Sequence, residues 1–372
     1  MRTMSSAVVV CAAVVVMACG RGESGSGGQV PTGPGPVTLA APTPQAPADD
    51  QQLDTLRPTL TIQNSPSAAA GARTYEFQIS DRSDFSTVIA SHVPGLSASV
   101  SQAGIAEGAG GTTSFTPAAD LQPATRMYWR ARVTQGTESS PWSTTLRFRT
   151  KLVGFNRGGQ LYDPLIHGET IGARSGSTTF MGQRGLRVDT ATSWVRYQLA
   201  NTIGAGVISV EVEGLQPGLP QEKARIFSMS DATPRLFDSK FLFNVQYRGI
   251  PGNPDNAISY KVLMGDSDLK YEPDFGARAD GVRALNPGTT YLWEASWGPS
   301  FRLTVREGGA AGPVVYERSQ STPGTYNPPQ HFVYLGATDA GVESGSYPGA
   351  IYRNLWVGTG PRPASLGSAL RP

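Results

Sequence analysis

Glu211 and Glu213 have the spacing that acid–base chemistry needs. They lie two positions apart in the alternating segment Val207-Ile208-Ser209-Val210-Glu211-Val212-Glu213, which predicts a β-strand. Both side chains should project from the same face of that strand. Two neighbouring carboxyl groups can serve as nucleophile and acid in glycoside hydrolysis. A strand with one solvated face has the same spacing, so that alternative stays open.

Acidic and amide side chains are concentrated in the turns around one predicted strand, Ile258-Ser259-Tyr260-Lys261-Val262. Hard cations bind six to eight such oxygens, so this region is a candidate calcium site. No stretch has the EF-hand spacing, and Asn and Asp are also ordinary turn residues. The sequence indicates no other cofactor. The candidate ligands are Asp255, Asn256, Asp266 and Asp268, with Asn253, Glu272 and Asp274 nearby.

Aromatic residues offer a second kind of site, because sugar rings stack on exposed aromatic side chains. Tyr291, Trp293 and Trp297 share one face of a predicted strand, where they fill a core or line a binding surface. Trp297 is expected to be the most exposed, since a turn follows it. The residues expected to contact a ligand are Trp297, Tyr247, Arg248, Tyr271 and Tyr326.

Other catalytic patterns are missing from the sequence. His92, His167 and His331 lie far apart and lack zinc-binding spacing. The chain contains no Gly-x-Ser-x-Gly elbow and no glycine-rich phosphate loop between a strand and a helix. Its 31 basic and 29 acidic residues leave a net charge of +2, which gives no electrostatic reason to expect nucleic acid. A binding protein is therefore favoured over an enzyme.

The first 18 residues have the pattern of a secretory signal peptide, with Arg2 before an apolar run. The ending Val16-Met17-Ala18-Cys19 resembles the lipobox of bacterial lipoproteins. That resemblance implies cleavage before Cys19, acylation of Cys19, including palmitate, and anchoring in a lipid bilayer. Val16 and Met17 depart from the usual leucine and the usual Ala or Ser. An ordinary signal peptide cleaved elsewhere is the alternative.

The cysteine count agrees with this anchor. Only Cys11 and Cys19 occur, and Cys11 lies inside the signal, so the mature chain cannot form a disulfide within itself. Residues 19–50 are rich in Gly, Ser and Pro and are predicted to be a flexible linker. Gly20 follows the cysteine, which favours an outer-membrane or cell-surface location within the cell envelope.

The composition indicates an all-β protein with more than one domain. The 372 residues are enough for two or three domains, with 44 Gly, 29 Pro and 16% charged residues. Turn residues recur every ten or so positions between short alternating segments, as in β-sandwiches. Outside the signal, no apolar run reaches the roughly 20 residues of a spanning helix.

Residues 51–151 resemble a fibronectin type III domain, an immunoglobulin-like sandwich. The resemblance lies in the turn and strand Leu121-Gln122-Pro123-Ala124-Thr125-Arg126-Met127-Tyr128 and in Pro141-Trp142-Ser143. It implies that the Tyr128 hydroxyl is bonded to the turn, although one extra residue precedes this tyrosine. Arg130 and Arg132 either stack on a ligand or face solvent opposite a buried Trp129.

Residues 152–362 resemble a larger concanavalin A-like or laminin G-like jelly roll, followed by a tail at 363–372. The resemblance lies in Gly288-Thr289-Thr290-Tyr291-Leu292-Trp293, in Leu303-Thr304-Val305-Arg306-Glu307-Gly308-Gly309 and in the closing strand Ile351–Gly358. The alternative is a second fibronectin-like domain, because Leu285-Asn286-Pro287 also precedes Tyr291 at the spacing of a tyrosine corner.

These resemblances imply an envelope lipoprotein whose larger domain binds an extracellular ligand, with carbohydrate expected, and whose first domain is a spacer. Glycosidases of the second fold carry Glu-x-Asp-x-x-Glu or Glu-x-Asp-x-Glu, and the segment after Glu211 lacks the aspartate and the final acid. A polysaccharide-cleaving glycosidase and a structural envelope protein without a small ligand are the alternatives.

Overall fold

The computed structural model describes residues 38–66, 71–86, 95–218, 223–232, 238–249, 254–265, 267–271, 281–322, 324–337 and 345–370. The predicted signal peptide, Cys19 and most of the predicted linker lie outside these residues, so lipid anchoring stays a prediction. Among the described residues, no helix has the length and hydropathy that crossing a bilayer requires.

The protein is all-β, as predicted, and its strands form two sandwich-like arrangements. The first, called the first sandwich, is built from residues 38–151. Its described strands are β1 (Thr43–Ala46), β2 (Gln51–Gln52), β3 (Leu60–Gln63), β4 (Thr74–Ser80), β5 (Ser99–Ala106), β6 (Thr112–Phe115), β7 (Arg126–Gln135), β8 (Glu138–Ser139) and β9 (Leu146–Arg149), with a 3-10 turn at Ala109–Gly111.

The first sandwich packs the three-stranded sheet β1-β3-β6 against the sheet β2-β9-β7-β4-β5, with β8 paired to β7. Strand β7 shows why these residues form this sheet. Met127, Trp129, Ala131 and Val133 alternate with polar residues, and all four are buried in the core between the sheets. Trp129 is therefore buried with arginines on the opposite face, as one of the two sequence interpretations expected.

The second arrangement, called the second sandwich, is built from residues 152–362. Its described strands are β10 (Phe155–Arg157), β11 (Gln160–Asp163), β12 (Ala173–Ser175), β13 (Thr178–Phe180), β14 (Leu186–Val188), β15 (Trp194–Gln198), β16 (Gly206–Glu213), β17 (Arg225–Ser230), β18 (Phe241–Arg248), β19 (Asn256–Met264), β20 (Ser267–Tyr271), β21 (Val282–Arg283), β22 (Tyr291–Trp297), β23 (Ser300–Glu307), β24 (Val314–Ser321), β25 (Phe332–Gly336) and β26 (Ile351–Gly358), with 3-10 turns at Gly182–Arg184 and, beyond the sandwich, Ser368–Leu370.

Two sheets share the core of the second sandwich. One has the order β10-β11-β26-β16-β22-β23-β24, with β14 paired to β26 and β13 to β14. The other has the order β12-β15-β25-β17-β18-β19-β20, with β21 paired to β19. A continuous apolar core lies between them and includes Trp293, Phe243 and Tyr326. Burial of this area is the main source of stability, since the described residues include no cysteine.

The two sandwiches share a small apolar cluster. Leu96 and Ala124 of the first sandwich pack with Phe155, Tyr162 and Trp356 of the second. Leu366 joins the same cluster from the C-terminal segment and is 1% exposed. Residues 363–372 were expected to be a tail. The structure corrects this for residues 363–370, because this segment packs between the two sandwiches.

Backbone hydrogen bonds hold the C-terminal segment on the first sandwich. The Ala369 amide donates to the Ala124 carbonyl at 3.1 Å, and the Arg126 amide donates to Ser368 Oγ at 2.8 Å.

The start of the first sandwich also differs from the expected boundary at residue 51. Leu39 is buried in its core and β1 pairs with β3, so the folded part begins within the predicted linker.

The two Leu-x-Pro turns behave differently. In the second sandwich, the Asn286 amide donates to the Tyr291 hydroxyl at 3.0 Å, so a tyrosine corner forms there. In the first sandwich, Tyr128 points away from the core between the inward residues Met127 and Trp129. Within the described contacts, Thr150 holds the 122–125 turn instead, since its hydroxyl donates to the Gln122 carbonyl at 2.7 Å.

Candidate functional site

Glu211 and Glu213 do lie on one face of β16, as expected, but each is engaged by basic side chains. Ile208, Val210 and Val212 point into the core, so the two glutamates point outward. Glu211 is 5% exposed and accepts hydrogen bonds from Arg353 Nε at 2.7 Å, Arg362 Nη2 at 3.2 Å and Asn354 Nδ2 at 3.1 Å.

The electrostatics around Glu211 oppose a role as general acid. Burial raises the pKa of its carboxyl, but Arg362 and Arg353 lower it more, and the net pKa lies below the ordinary value. A glycosidase acid needs a raised pKa so that it holds a proton near neutral pH. Glu213 pairs with Arg184 through Nη2. Both weak catalytic candidates are therefore held in ion pairs, Glu211 with Arg353 and Arg362 and Glu213 with Arg184.

Two of the four expected calcium ligands, Asn256 and Asp268, lie at opposite ends of the β19 strand pair. Asn256 begins β19 and its side-chain oxygen accepts from the Gly218 amide at 2.9 Å. Asp268 pairs with Leu263 near the other end of that strand, about 23 Å from Asn256 at 3.3 Å per residue. Asp255 lies beside Asn256, and Asp266 lies outside the described residues. Among the residues that are described, no three His, Cys, Asp or Glu side chains could hold one metal ion.

Three of the aromatic residues expected at a ligand rim lie in the core instead. Trp297 is 4% exposed and donates from Nε1 to the Ile203 carbonyl at 3.2 Å. Tyr326 is buried and stacks on Phe243, with ring centres 4.3 Å apart. Tyr247 is buried and donates its hydroxyl to the Arg283 carbonyl at 2.7 Å. These side chains position the sheets and do not contact an external ligand.

Tyr271 and Arg248 complete the expected ligand-contacting residues. Tyr271 ends β20 opposite Tyr260, and its side chain lies outside the described part of the chain. Arg248 ends β18 opposite Ala257 and is 1% exposed. Since Phe243, Val245 and Tyr247 point into the core, Arg248 points the other way. Among the expected residues whose side chains are described, it is the one on an outward sheet face.

The outward face of this sheet presents a continuous polar row. Strands β15, β25, β17, β18 and β19 pair in a register that brings one outward residue of each strand side by side. Alternation explains the placement, because the neighbours of each row member along its strand are core residues. This row is called the outer row, and it consists of Arg196, Tyr334, Ser228, Asn244 and Lys261.

The middle of the outer row is buried although it faces away from the main core. Tyr334, Ser228 and Asn244 are at most 4% exposed. The Ser228 hydroxyl donates to Asn244 Oδ1 at 3.3 Å, and beside the row the Ser259 hydroxyl donates to Gln246 Oε1 at 3.5 Å. Buried polar groups are costly unless they are hydrogen-bonded. The hydrogen bonds therefore fix the donors and acceptors of the outer row in position.

Aromatic side chains stand at one end of the outer row. Trp194 is partly exposed and meets Tyr334 edge-on, with ring centres 6.1 Å apart. The Arg196 guanidinium carbon lies 5.6 Å from the Trp194 ring centre and 5.8 Å from that of Phe332. A partly exposed indole beside hydrogen-bonding groups is suited to stack on one face of a planar or ring-shaped ligand.

Sequence reasoning missed Trp194 and Arg196. The signal was present, because Trp194-Val195-Arg196-Tyr197-Gln198 alternates and its residues Val195 and Tyr197 are both buried in the core. The segment is only five residues long, and its pairing with β25 cannot be read from its own composition.

No protein-family model matches this chain, and no curated protein matches its sequence.

Proposed function

We propose that the protein is a lipid-anchored envelope protein whose second sandwich binds carbohydrate along the outer row. The observation that carries this proposal is a row of buried, mostly neutral polar side chains on an outward sheet face, with a partly exposed indole at its end. Sugars present hydroxyl groups at their edges and C–H groups on their ring faces. Amide, hydroxyl and guanidinium groups match the edges, and an indole matches a ring face.

Access to the row is from its ends. Arg196, Trp194 and Lys261 are partly exposed, whereas Ser228 and Asn244 in the middle are buried. A glycan end or branch would stack on Trp194 and accept hydrogen bonds from Arg196, while the buried pair Ser228 and Asn244 keeps Tyr334, against which Trp194 packs, in position. Neutral groups suit a neutral or mixed-charge glycan, because their hydrogen bonds depend little on salt.

The sequence supports the location. The Val16-Met17-Ala18-Cys19 ending after a short apolar run resembles a lipobox. The sequence also resembles fibronectin type III and concanavalin A-like domains, and both kinds of domain are common in proteins that bind ligands outside cells. Along the chain, the first sandwich lies between the proposed anchor and the second sandwich. Intact-mass measurement of the membrane-extracted protein tests the anchor, which requires an acylated Cys19 at the N-terminus.

Carbohydrate binding is tested with a glycan array on the purified chain from Gly20, followed by calorimetry on the best ligand. Ser228→Ala with Asn244→Ala removes two hydrogen-bonding groups and should weaken binding about tenfold or more. The matched control is Thr304→Ala, which removes a buried hydroxyl from the outward face of the other sheet and should leave binding unchanged. Binding to no glycan on the array, or equal loss in both variants, would contradict the proposal.

A second variant avoids the buried part of the row. Trp194→Ala changes a partly exposed residue, so the fold should persist while stacking is lost. Saturating glycan should also change the tryptophan fluorescence of the unsubstituted protein.

Glycoside hydrolysis is not favoured, because Glu211 is held ionised by two arginines. Product analysis after incubation with β-glucans checks this, and Glu211→Gln should affect stability and not any cleavage.

A further inference from the structure

The first sandwich carries a different outward surface, which is strongly basic. Strand β7 points its apolar residues inward, so its arginines point outward, and β9 pairs beside it with its own arginines on the same face. In register, Arg126 lies opposite Arg149 and Tyr128 lies opposite Arg147. This surface is called the arginine face, and it consists of Arg126, Arg130, Arg132, Arg147 and Arg149.

Three carboxylates only partly balance these five arginines. Glu76 pairs with Arg132 at 2.6 Å, and Asp50 lies 3.5 Å from Arg147 and 3.6 Å from Arg149. Asp49 lies 3.9 Å from Arg147. Among the described ion pairs, these five guanidinium groups therefore share three carboxylates. Its arginine side chains remain accessible, with Arg147 44% and Arg132 35% exposed.

Aromatic rings hold two of the arginines at this surface. The Arg130 guanidinium carbon lies 4.0 Å from the Phe85 ring centre and 4.3 Å from that of Trp142, and Arg132 lies 4.5 Å from the Trp142 ring centre. Phe85 and Trp142 are both partly exposed. Aromatic rings together with arginines are the combination that settles at the headgroup level of a bilayer.

A short stretch of sequence separates the proposed anchor from the first sandwich, which carries the arginine face. Eighteen residues separate Cys19 from Thr38, where the first sandwich begins. Such a linker spans about 60 Å when fully extended, and about 23 Å on average if it behaves as a Gly/Ser-rich coil. That length lets the chain pass around a sandwich whose sheets are about 10 Å apart. A linker of this length is compatible with contact between this face and a membrane that holds Cys19.

We propose that the arginine face docks the first sandwich on a membrane surface bearing anionic phosphate headgroups. The inference rests on the lipid anchor in the proposed function and concerns a surface separate from the outer row. Guanidinium groups form paired hydrogen bonds with phosphate oxygens, and Trp142 and Phe85 lie at the depth of the headgroups. The face should bind such a surface weakly but measurably by itself, and the anchor strengthens the docking by raising the local concentration of the face at the membrane.

The test uses the unlipidated chain from Gly20, so that acylation plays no part. Cosedimentation is measured with vesicles of phosphatidylcholine alone and with vesicles that contain one part phosphatidylglycerol to two parts phosphatidylcholine. Binding should require phosphatidylglycerol and should fall steeply as salt is raised. Arg132→Gln with Arg147→Gln should reduce the vesicle partition coefficient about tenfold or more.

The control is Arg302→Gln with Arg318→Gln on the second sandwich, which removes the same charge and also breaks one exposed ion pair. It should change vesicle binding less than twofold. Equal losses in the two double variants, binding that ignores phosphatidylglycerol, or tighter binding to a soluble polyanion than to vesicles would overturn the inference. If the Arg132 and Arg147 variant does not fold, the salt and lipid dependence of the unsubstituted chain decides. Intact mass at Cys19 tests the anchor separately, so the two failures are distinguishable.

Discussion

The arginine face and the outer row both lie on outward faces of β-sheets, but their polar side chains differ in charge and exposure. On the first sandwich, charged side chains remain partly exposed and are shared among nearby carboxylates and rings. On the second, mostly neutral side chains are buried and bonded to each other. Exposed charges act over a distance and depend on salt, whereas buried neutral groups act by contact. The two faces are therefore suited to different partners.

The largest expected difference in stability is between removing the charge of a buried carboxylate and removing that of an exposed one. Glu211→Gln leaves Arg353 and Arg362 without their anion and should lower the free energy of unfolding by about 4 kcal/mol. Asp120→Asn breaks the exposed pair with Arg57 and should cost less than about 1 kcal/mol. Urea unfolding followed by tryptophan fluorescence measures both. Similar losses would show that burial does not separate the two classes of ion pair.

The junction between the sandwiches gives the next effect. Leu366→Ala removes a buried side chain from the shared cluster and should cost about 3 kcal/mol. Because Leu366 contacts both sandwiches, the loss should lower the midpoint of unfolding for both together. Calorimetry should show one transition in the unsubstituted protein. Two transitions, of which only one shifts in the variant, would mean that the sandwiches unfold independently and that the segment acts as a tail.

A histidine in the second sandwich makes its stability depend on pH. Burial lowers the pKa of His331 from 6.5 to about 4, so the folded protein keeps this ring neutral. The unfolded chain takes up a proton as pH falls below 6.5 and the folded chain does not, so stability falls across that window. Between pH 6.5 and 5 the loss should be about 2 kcal/mol.

His331→Gln tests this origin, because glutamine can still accept the hydrogen bond that the Ile203 amide donates to Nδ1 at 3.3 Å. Other groups titrate equally in both proteins, so the difference between their pH profiles isolates the ring. The variant should be flatter between pH 6.5 and 5 in urea unfolding. Parallel profiles would assign the pH dependence to other residues.

The smallest effect concerns the rings on the arginine face. Trp142→Ala removes the surface on which Arg130 and Arg132 stack and should cost about 1 kcal/mol. Trp142→Phe keeps an aromatic ring and should recover part of that loss. Thermal unfolding of the three proteins measures the order. A loss of several kcal/mol would mean that Trp142 belongs to the core of the first sandwich and not to its surface.

Alternation made much of the fold predictable. Met127, Trp129 and Val133 point inward on β7, and Ile208, Val210 and Val212 point inward on β16, as their period of two indicates. The all-β class followed from the turn residues between such segments. The predicted outward direction of Glu211 was also confirmed, but alternation says nothing of Arg362, which lies 151 residues further along the chain.

Contacts between distant segments explain what the sequence did not reveal. Tyr247 and Tyr326 were expected to contact a ligand, and the core between the two sheets buries both. Asn256 and Asp268 are near in sequence, but a full strand separates them. The outer row combines residues from five strands, and only their pairing makes Trp194 a neighbour of Tyr334. Register between distant strands depends on the whole core and not on local composition.

The measurement that tests this account most directly exposes both double variants to both probes, a bound glycan and vesicles that contain phosphatidylglycerol. Ser228→Ala with Asn244→Ala should lose glycan binding and keep vesicle binding. Arg132→Gln with Arg147→Gln should lose vesicle binding and keep glycan binding. Loss of both activities in either variant, or of neither in both, would contradict the assignment of separate partners to the two faces.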